Sequence, residues 1–295
     1  VTALTRETVY KMEQKGVTYP AALIKDWFDE ADLVHISSEA AFTEECPVPE
    51  PPFSASRFCS RTNYLELLEY IGTDVIELTG NHLLDYGEDA FLESLSLFAS
   101  SGFAYYGGGI DIEEAGAPLV IEDKGNQLAF FGCNVPGPVS VFAEQASGGA
   151  NPCDIDLLAE MVKQYSVKGY QVIVTIQHYE SCQYKPMSGQ EEDMRRLAEA
   201  GAVIVSGSQA HCPQTMTFLG NRFVHYGLGN LFFDQMWDMY RNAFLDYHVF
   251  YDGKYLGVQF ITTRLEDASQ PRPMTTEERA EFLSVIFSHS EWGTE

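Results

Sequence analysis

Four short segments carry side chains able to bind a metal ion or move a proton, each at the end of an apolar run. They are ELTGNHLLDYG (77–87), VTIQHYE (174–180), VSGSQAHCPQ (205–214) and HYGLGNLFFD (225–234). Asn81 and Gln209 offer neutral amide oxygens; His82, His178, His211 and His225 offer imidazole nitrogens. Amide, imidazole and carboxylate together suit a divalent transition ion, and an imidazole beside such an ion can act on a reacting phosphate oxygen. One histidine at a strand end is ordinarily a hydrogen-bonded structural residue. Several at equivalent ends are what a shared metal or catalytic site requires.

The elements that must position these residues are legible from periodicity. Strands are expected at 32–37, 74–80, 128–133, 171–177, 202–208, 223–229 and 257–265, where short β-branched or aromatic runs end in Gly or polar residues. Helical patterns lie between them at 63–71, 87–102, 154–169 and 189–201, the last three running up to a glycine that can stop them. Alternation of this kind predicts a parallel or mixed sheet covered by helices, and open α/β sheets carry their ligands at the carboxyl ends of the strands. ASQPRPM (268–274) reads as a linker, so the chain divides into a body over 1–267 and a C-terminal linker and helix over 268–295, the helix being TEERAEFLSVIFSH (276–289). YDGKY (251–255) is the clearest hairpin turn, and the aromatic run 232–255 reads as core.

Composition narrows the class. With 43 acidic and 18 basic residues among 295, the formal charge is −25, which argues against nucleic acid and against a bare phospholipid surface. No apolar stretch is long enough to span a bilayer and no signal peptide is visible, so membrane attachment is expected only through a segment outside this chain. GGG (107–109) lacks the strand and helix of a dinucleotide site, and there is no G-x-S-x-G elbow. Six cysteines form no CxxC pair. Cys46 and Cys59 flank one loop, Cys133 and Cys153 another, and Cys182 and Cys212 follow two of the histidines and would meet if their strands are neighbours. Three disulfides in an oxidising, extracellular setting and six buried thiols in a cytosolic one are the two alternatives.

The order of these blocks resembles the CapA-type proteins of poly-γ-glutamate capsule synthesis, a branch of the calcineurin-like metallophosphoesterase superfamily. GNHLLDYG, YYGGGIDIEEAGAP (105–118), GNQLAFFGCN, VIVTIQHYE, GSQAHCPQ and HYGLGNLFFD are similar to successive family blocks from Val1 to about Gln235. The resemblance implies an α/β fold, a metallophosphoesterase-like α-β-β-α sandwich with two central mixed sheets flanked by helices. It also implies an extracellular or cell-surface setting, with an anionic polymer or cell-surface component as partner; self-association is left open.

The departures bear on chemistry. Val1 stands where the family's opening block has a metal-binding Asp, Ser37 where the next block has Asn, and Gln209 where the G-x-H-P-H block has its first His. What the resemblance leaves is at most one divalent ion (Mn, Zn or Fe), or none, with Glu39, Asn81, His178 and Gln209 as its ligands. His82 and His211 become the catalytic candidates, while His225 lines the pocket in a structural role. Two functions follow: a non-catalytic capsule-associated module with a degraded metal site, or a single-metal hydrolase of a phosphoester or an amide-linked polymer.

Overall fold

Residues 1–290 are described by the computed structural model. Three short parallel strands, β1 (His35–Ser37), β2 (Val75–Glu77) and β3 (Ala104–Tyr106), form the first sheet. Thr2 extends it by bridging Ser38 on one side and Phe232 on the other. Past Gly107, whose φ of 77° suits a residue without a side chain, the chain continues into β4 (Gly108–Gly109). The hairpin β5 (Leu119–Asp123) and β6 (Asn126–Asn134) starts the second sheet, and β7 (Gly149–Ala150) pairs back onto β4. With β8 (Gln171–Gln177), β9 (Ala202–Ser208), β10 (Met216–Leu219) and β11 (Arg222–His225), the second sheet runs β10-β11-β9-β8-β6-β5. Its four inner strands are parallel and both edges antiparallel.

Successive side chains on a strand point to opposite faces, and this alternation builds the layers. In β8, Val172, Val174 and Ile176 face an outer cluster with Leu158 and Val162 of α6 (Ile155–Val167) and Met194 and Leu197 of α7 (Ser188–Ala200). Ile173 faces the other way, with Phe130, Val75 and Tyr106, so the inner layer lies between the two sheets. Tyr106 ties that layer together, its hydroxyl 2.8 Å from both Thr175 Oγ1 and His35 Nε2. On the far side, Ile36, Ile76 and Leu78 pack under α1 (Arg6–Lys15), α3 (Leu65–Tyr70) and α4 (Glu88–Ser100); α2 (Lys25–Asp29) and α5 (Ile112–Gly116) are single short turns. The result is the expected helix–sheet–sheet–helix sandwich, with one refinement: the larger sheet is mixed and the smaller is wholly parallel.

A third sheet closes the end of the sandwich away from the strand carboxyl termini. β12 (Asn242–Tyr251) and β13 (Lys254–Glu266) form a long hairpin through Asp252 and Gly253, whose φ values of 50° and 71° are those of the expected two-residue turn. The stretch read as a linker is instead an edge strand, β14 (Gln270–Pro273), paired with β13. Pro271 and Pro273 forgo backbone donors, which an edge strand tolerates. The final helix, α8 (Thr276–His289), opens with a capping box between Thr275 and Glu278 and packs Phe282 and Ile286 into the inner layer beside Phe244. All six cysteines pair, as Cys46–Cys59, Cys133–Cys153 and Cys182–Cys212.

Two histidines bordering the inner layer lose enough solvation from the surrounding protein to oppose protonation: His35 and His248 are each pushed down to about 4. In the unfolded chain they titrate near 6.5, so acid favours unfolding as pH falls from about 6.5 towards 4. The urea midpoint is expected to be flat above pH 7 and to drop through that window, with His248→Gln shrinking the drop. A midpoint unchanged from pH 7 to pH 4.5 would show that the two rings titrate as they do in water.

Candidate functional site

The site forms past the carboxyl ends of β2, β8 and β9, and close backbone approach makes it possible. A Cβ on Gly80 would lie 2.5 Å from the Glu39 carbonyl oxygen and 2.7 Å from its Cα, so only glycine lets the segment carrying Asn81 and His82 run against Glu39. Ala40 bridges His82 there, and the Glu39 amide donates to Thr2 O at 2.9 Å. After β9 the chain turns through Gln209 and His211 at φ values of 77° and 56°, a region non-glycine residues seldom adopt and functional loops often do.

Two polar subsets result. In the first, Gln177 at the end of β8 donates its side-chain amide to Asn81 Oδ1 at 3.0 Å and to Gln209 Oε1. The two amide oxygens expected to face a metal therefore share one N–H₂ group. In the second, His211 Nδ1 lies 2.9 Å from Asn230 Oδ1. An amide oxygen only accepts, so Nδ1 donates to it. The other ring nitrogen, Nε2, faces Glu39 Oε1 at 3.6 Å. Glu39 is 2% exposed, and neither of its carboxylate oxygens has a hydrogen-bond partner among the described residues.

The other histidines are held apart from these subsets. His178 Nε2 is 3.2 Å from Asp193 Oδ2 on α7, and burial pushes the ring's pKa down against the pull of that carboxylate. His82 Nδ1 is 2.6 Å from Asp85 Oδ2, and its ring packs on Phe58 with centroids 3.9 Å apart. His211 stacks on Phe233 at 5.2 Å. The Arg6 guanidinium lies over both Phe58 and Phe233 and pairs with Asp234, so the opening and closing blocks of the chain together clamp the two histidines. His225 lies away from the site, 2.6 Å from Asp246 in the inner layer.

Three participants escaped the sequence reading. Gln177 is the hub of the amide subset, and Asn230 sets the His211 tautomer. Glu77 is a fully buried acid that burial pushes upward in pKa against hydrogen bonds from Ser37 and Thr79. A glutamate amid the apolar run DVIEL was the visible signal for Glu77. Neither Gln177 nor Asn230 could be singled out without the partners it contacts.

The donors fit an ion unevenly. No group of three or more His, Cys, Asp or Glu side chains is placed to hold a metal among the described residues. Asn81 and Gln209 are committed to Gln177, and His178 to Asp193. The Glu39 carboxylate, with no hydrogen-bond partner among the described residues, and His211 Nε2 beside it are the groups that best fit a single cation.

This layering is that of a metallophosphoesterase-like sandwich. Among solved structures, it superposes on Thermus thermophilus sulfate thiohydrolase SoxB with a TM-score of 0.52 at 14% identity, covering 96% of this chain and 49% of that one. On Haemophilus influenzae NAD nucleotidase the TM-score is 0.50 at 10% identity, covering 94% and 57%. Residues 2–235 match the family model of the bacterial capsule synthesis protein PGA_cap, and the chain belongs to that family. It is 25% identical over 189 residues to the PGA biosynthesis protein CapA of Bacillus subtilis, covering 63% of this chain and 49% of that protein. To the capsule biosynthesis protein CapA of Bacillus anthracis it is 25% identical over 213 residues, covering 70% and 51%. The chain thus spans about half the length of these relatives.

Proposed function

We propose that this chain is an extracellular, capsule-associated module in which the family's metal site is reduced to one weak cation position between Glu39 and His211. The observation that carries the reading is the amide hub: Gln177 already donates to the side-chain oxygens of both Asn81 and Gln209, and an ion bridging those oxygens would compete with that donor, leaving an unpaired N–H wherever it displaced it. Three disulfides and the acidic surface suit an oxidising exterior. A charge of −25 opposes direct grip on an anionic polymer such as poly-γ-glutamate, so the partner is a cell-surface component of the assembly machinery. The alternative, a single-ion hydrolase of a phosphoester or an amide-linked polymer, draws on the His82–Asp85 pair, whose 2.6 Å contact orients an imidazole for proton transfer.

Calorimetric titration with Mn²⁺ and Zn²⁺ tests the reading. At most one ion per chain is expected, with Glu39→Gln weakening it by about tenfold or more, as loss of a charged ligand should. Hydrolysis of p-nitrophenyl phosphate should stay at background in saturating Mn²⁺. Two tightly held ions per chain would refute the reduced site, and turnover lost on His82→Ala would favour the hydrolase.

A further inference from the structure

The inner layer is not apolar throughout. Ile173, Ile204 and Phe223 stand paired in register across β8, β9 and β11 on the face turned to the first sheet, and two residues further along each strand the same face carries Thr175, Ser206 and His225. Two members of this polar row have partners: Thr175 Oγ1 lies 2.8 Å from the Tyr106 hydroxyl, and His225 Nδ1 lies 2.6 Å from Asp246 Oδ2. Ser206 between them has no hydrogen-bond partner among the described residues. It lines a cavity of about 290 Å³ between the two main sheets and the β12–β13 hairpin, at the lower end of the ~300–1,000 Å³ typical of small-molecule pockets.

The charges around this space are already answered. Asp246 is held by His225, Asp32 pairs with Lys124, and Asp123 acts on the same lysine, while no lysine or arginine lines the cavity among the described residues. A bound ion of either sign would thus lose its hydration without gaining a free partner. Two imidazoles complete the polar wall. His35 Nε2 lies 2.8 Å from the Tyr106 hydroxyl and His248 Nδ1 3.1 Å from the Tyr255 hydroxyl, and the second nitrogen of each ring has no partner among the described residues. Both rings are depressed to about 4 and are neutral at pH 7. Because a hydroxyl can donate or accept, each ring is free to present either a donor or an acceptor to the cavity. A wall of this kind matches an uncharged group that does both, and a ligand hydroxyl is the simplest. Opposite it, Trp27, Phe28, Phe130 and Phe250 give aromatic faces on which water finds no partners, so an apolar body gains by displacing it.

We propose that this inter-sheet cavity binds a small neutral alcohol with one aromatic ring, its hydroxyl bonded to Ser206 and to an imidazole of the same wall, its ring lying among Trp27, Phe28, Phe130 and Phe250. The volume admits a single ring with a short side chain and excludes a polymer segment. None of the residues discussed as metal ligands or catalytic candidates lines the cavity, so the site is separate from the cation position at Glu39 and His211.

2-Phenylethanol is the probe, with phenethylamine and phenylacetate as nearly isosteric charged controls. Calorimetry on the native chain at pH 7 is expected to show saturable one-to-one binding of the alcohol, with both ions weaker by about tenfold or more, as desolvation of an unpaired charge requires. Ser206→Ala keeps the shape of the wall and removes the hydroxyl. It should weaken the alcohol by about three- to tenfold, the worth of one hydrogen bond, and leave toluene, which has no hydroxyl, unchanged. Ile261→Trp is the second variant: Ile261 lines the cavity from β13, and an indole there fills the space. This variant should keep a native circular-dichroism spectrum and lose alcohol binding. Absence of saturable binding at millimolar alcohol, an ion that binds as well as the alcohol, or undiminished alcohol affinity in Ser206→Ala or in folded Ile261→Trp would each overturn the proposal.

Discussion

Alanine in place of Gly207 should cost about 3 kcal/mol or more, the upper part of the range for overpacking a rigid site. Gly207 sits in β9 one residue past Ser206, which pairs with His225 of β11, so the two backbones are fixed side by side. A Cβ there would overlap the Tyr226 carbonyl oxygen and come within 2.7 Å of the carbonyl carbon. That oxygen cannot simply swing away, since it accepts from Gln190 Nε2 at 2.7 Å, and Gln190 also holds Gln214 at 2.9 Å. Strain at position 207 would therefore pass into the loop carrying Gln209 and His211. Urea unfolding of Gly207→Ala with an unchanged m-value measures the cost; a loss below 1 kcal/mol would mean that β9 and β11 separate more easily than their pairing indicates.

Loss of the Cys182–Cys212 bridge carries an effect of similar size and a sharper functional signature. Its closed loop of 30 residues corresponds to about 3–4 kcal/mol in the chain-entropy account. The bridge fastens the segment after His178 to the segment after His211, and the same two segments are joined by Thr215 N to Tyr184 O at 2.8 Å and by Gln214 to the Ser181 and Gln183 carbonyls. Without it, the turn holding Gln209 and His211 at positive φ loses its covalent restraint. The Cys182→Ser/Cys212→Ser variant should unfold at lower urea and lose Mn²⁺ affinity together. By contrast, opening Cys46–Cys59, with a separation of 13, should lower stability by about 3 kcal/mol while leaving the ion untouched. Equal loss of Mn²⁺ in both variants would show that the ion responds to global stability rather than to this loop.

The parts of the molecule that periodicity describes well are those buried on both faces. β8 and β9 occupy the residues expected of them, 171–177 and 202–208, because β-branched runs bounded by polar residues have no competing period; α8, which buries only Phe282 and Ile286, was marked instead by its Thr275–Glu278 start and spans the expected 276–289. Other elements were obscured for physical reasons. α1 buries only Thr8, Val9 and Met12 in RETVYKMEQK, too thin a stripe to read against its charged neighbours. β12 was hidden in a run of aromatics that suits core, strand or surface alike, and the prolines of β14 masked an edge strand. FVHYGLG was read as a strand to residue 229, whereas β11 ends at His225 and the chain then leaves to meet Thr2 and Phe244.

The site was legible as a set of chain positions and illegible as a set of bonds. Resemblance to the family pointed to Asn81, His178, Gln209, His211 and Glu39; the structure joins Asn81 to Gln209 through Gln177 and sets His211 beside Glu39, while His178 turns to Asp193. Which lone pairs remain available is decided by Gln177, 96 residues from Asn81, and by Asn230, 19 residues from His211. Contacts at such separations leave no periodic trace. Only the local pair His82–Asp85, three residues apart within the D-x-G block, was implicit in spacing alone.

The strand-like crossing in which Thr2 lies between Ser38 and Phe232 has a consequence for the order of events during synthesis. Thr2 can join Ser38 early, but its other neighbour, and the Arg6–Asp234 pair spanning 228 positions, must wait until residues 232–234 emerge. At roughly 5–20 residues per second, that wait is about ten to fifty seconds. Throughout it, one side of the Thr2 segment stays an open edge, able to template a wrong strand. Contacts of such long range slow folding, and here they also make the histidine clamp among the last parts to close, so a ribosome-bound chain halted before Phe232 is the species most exposed to mispairing.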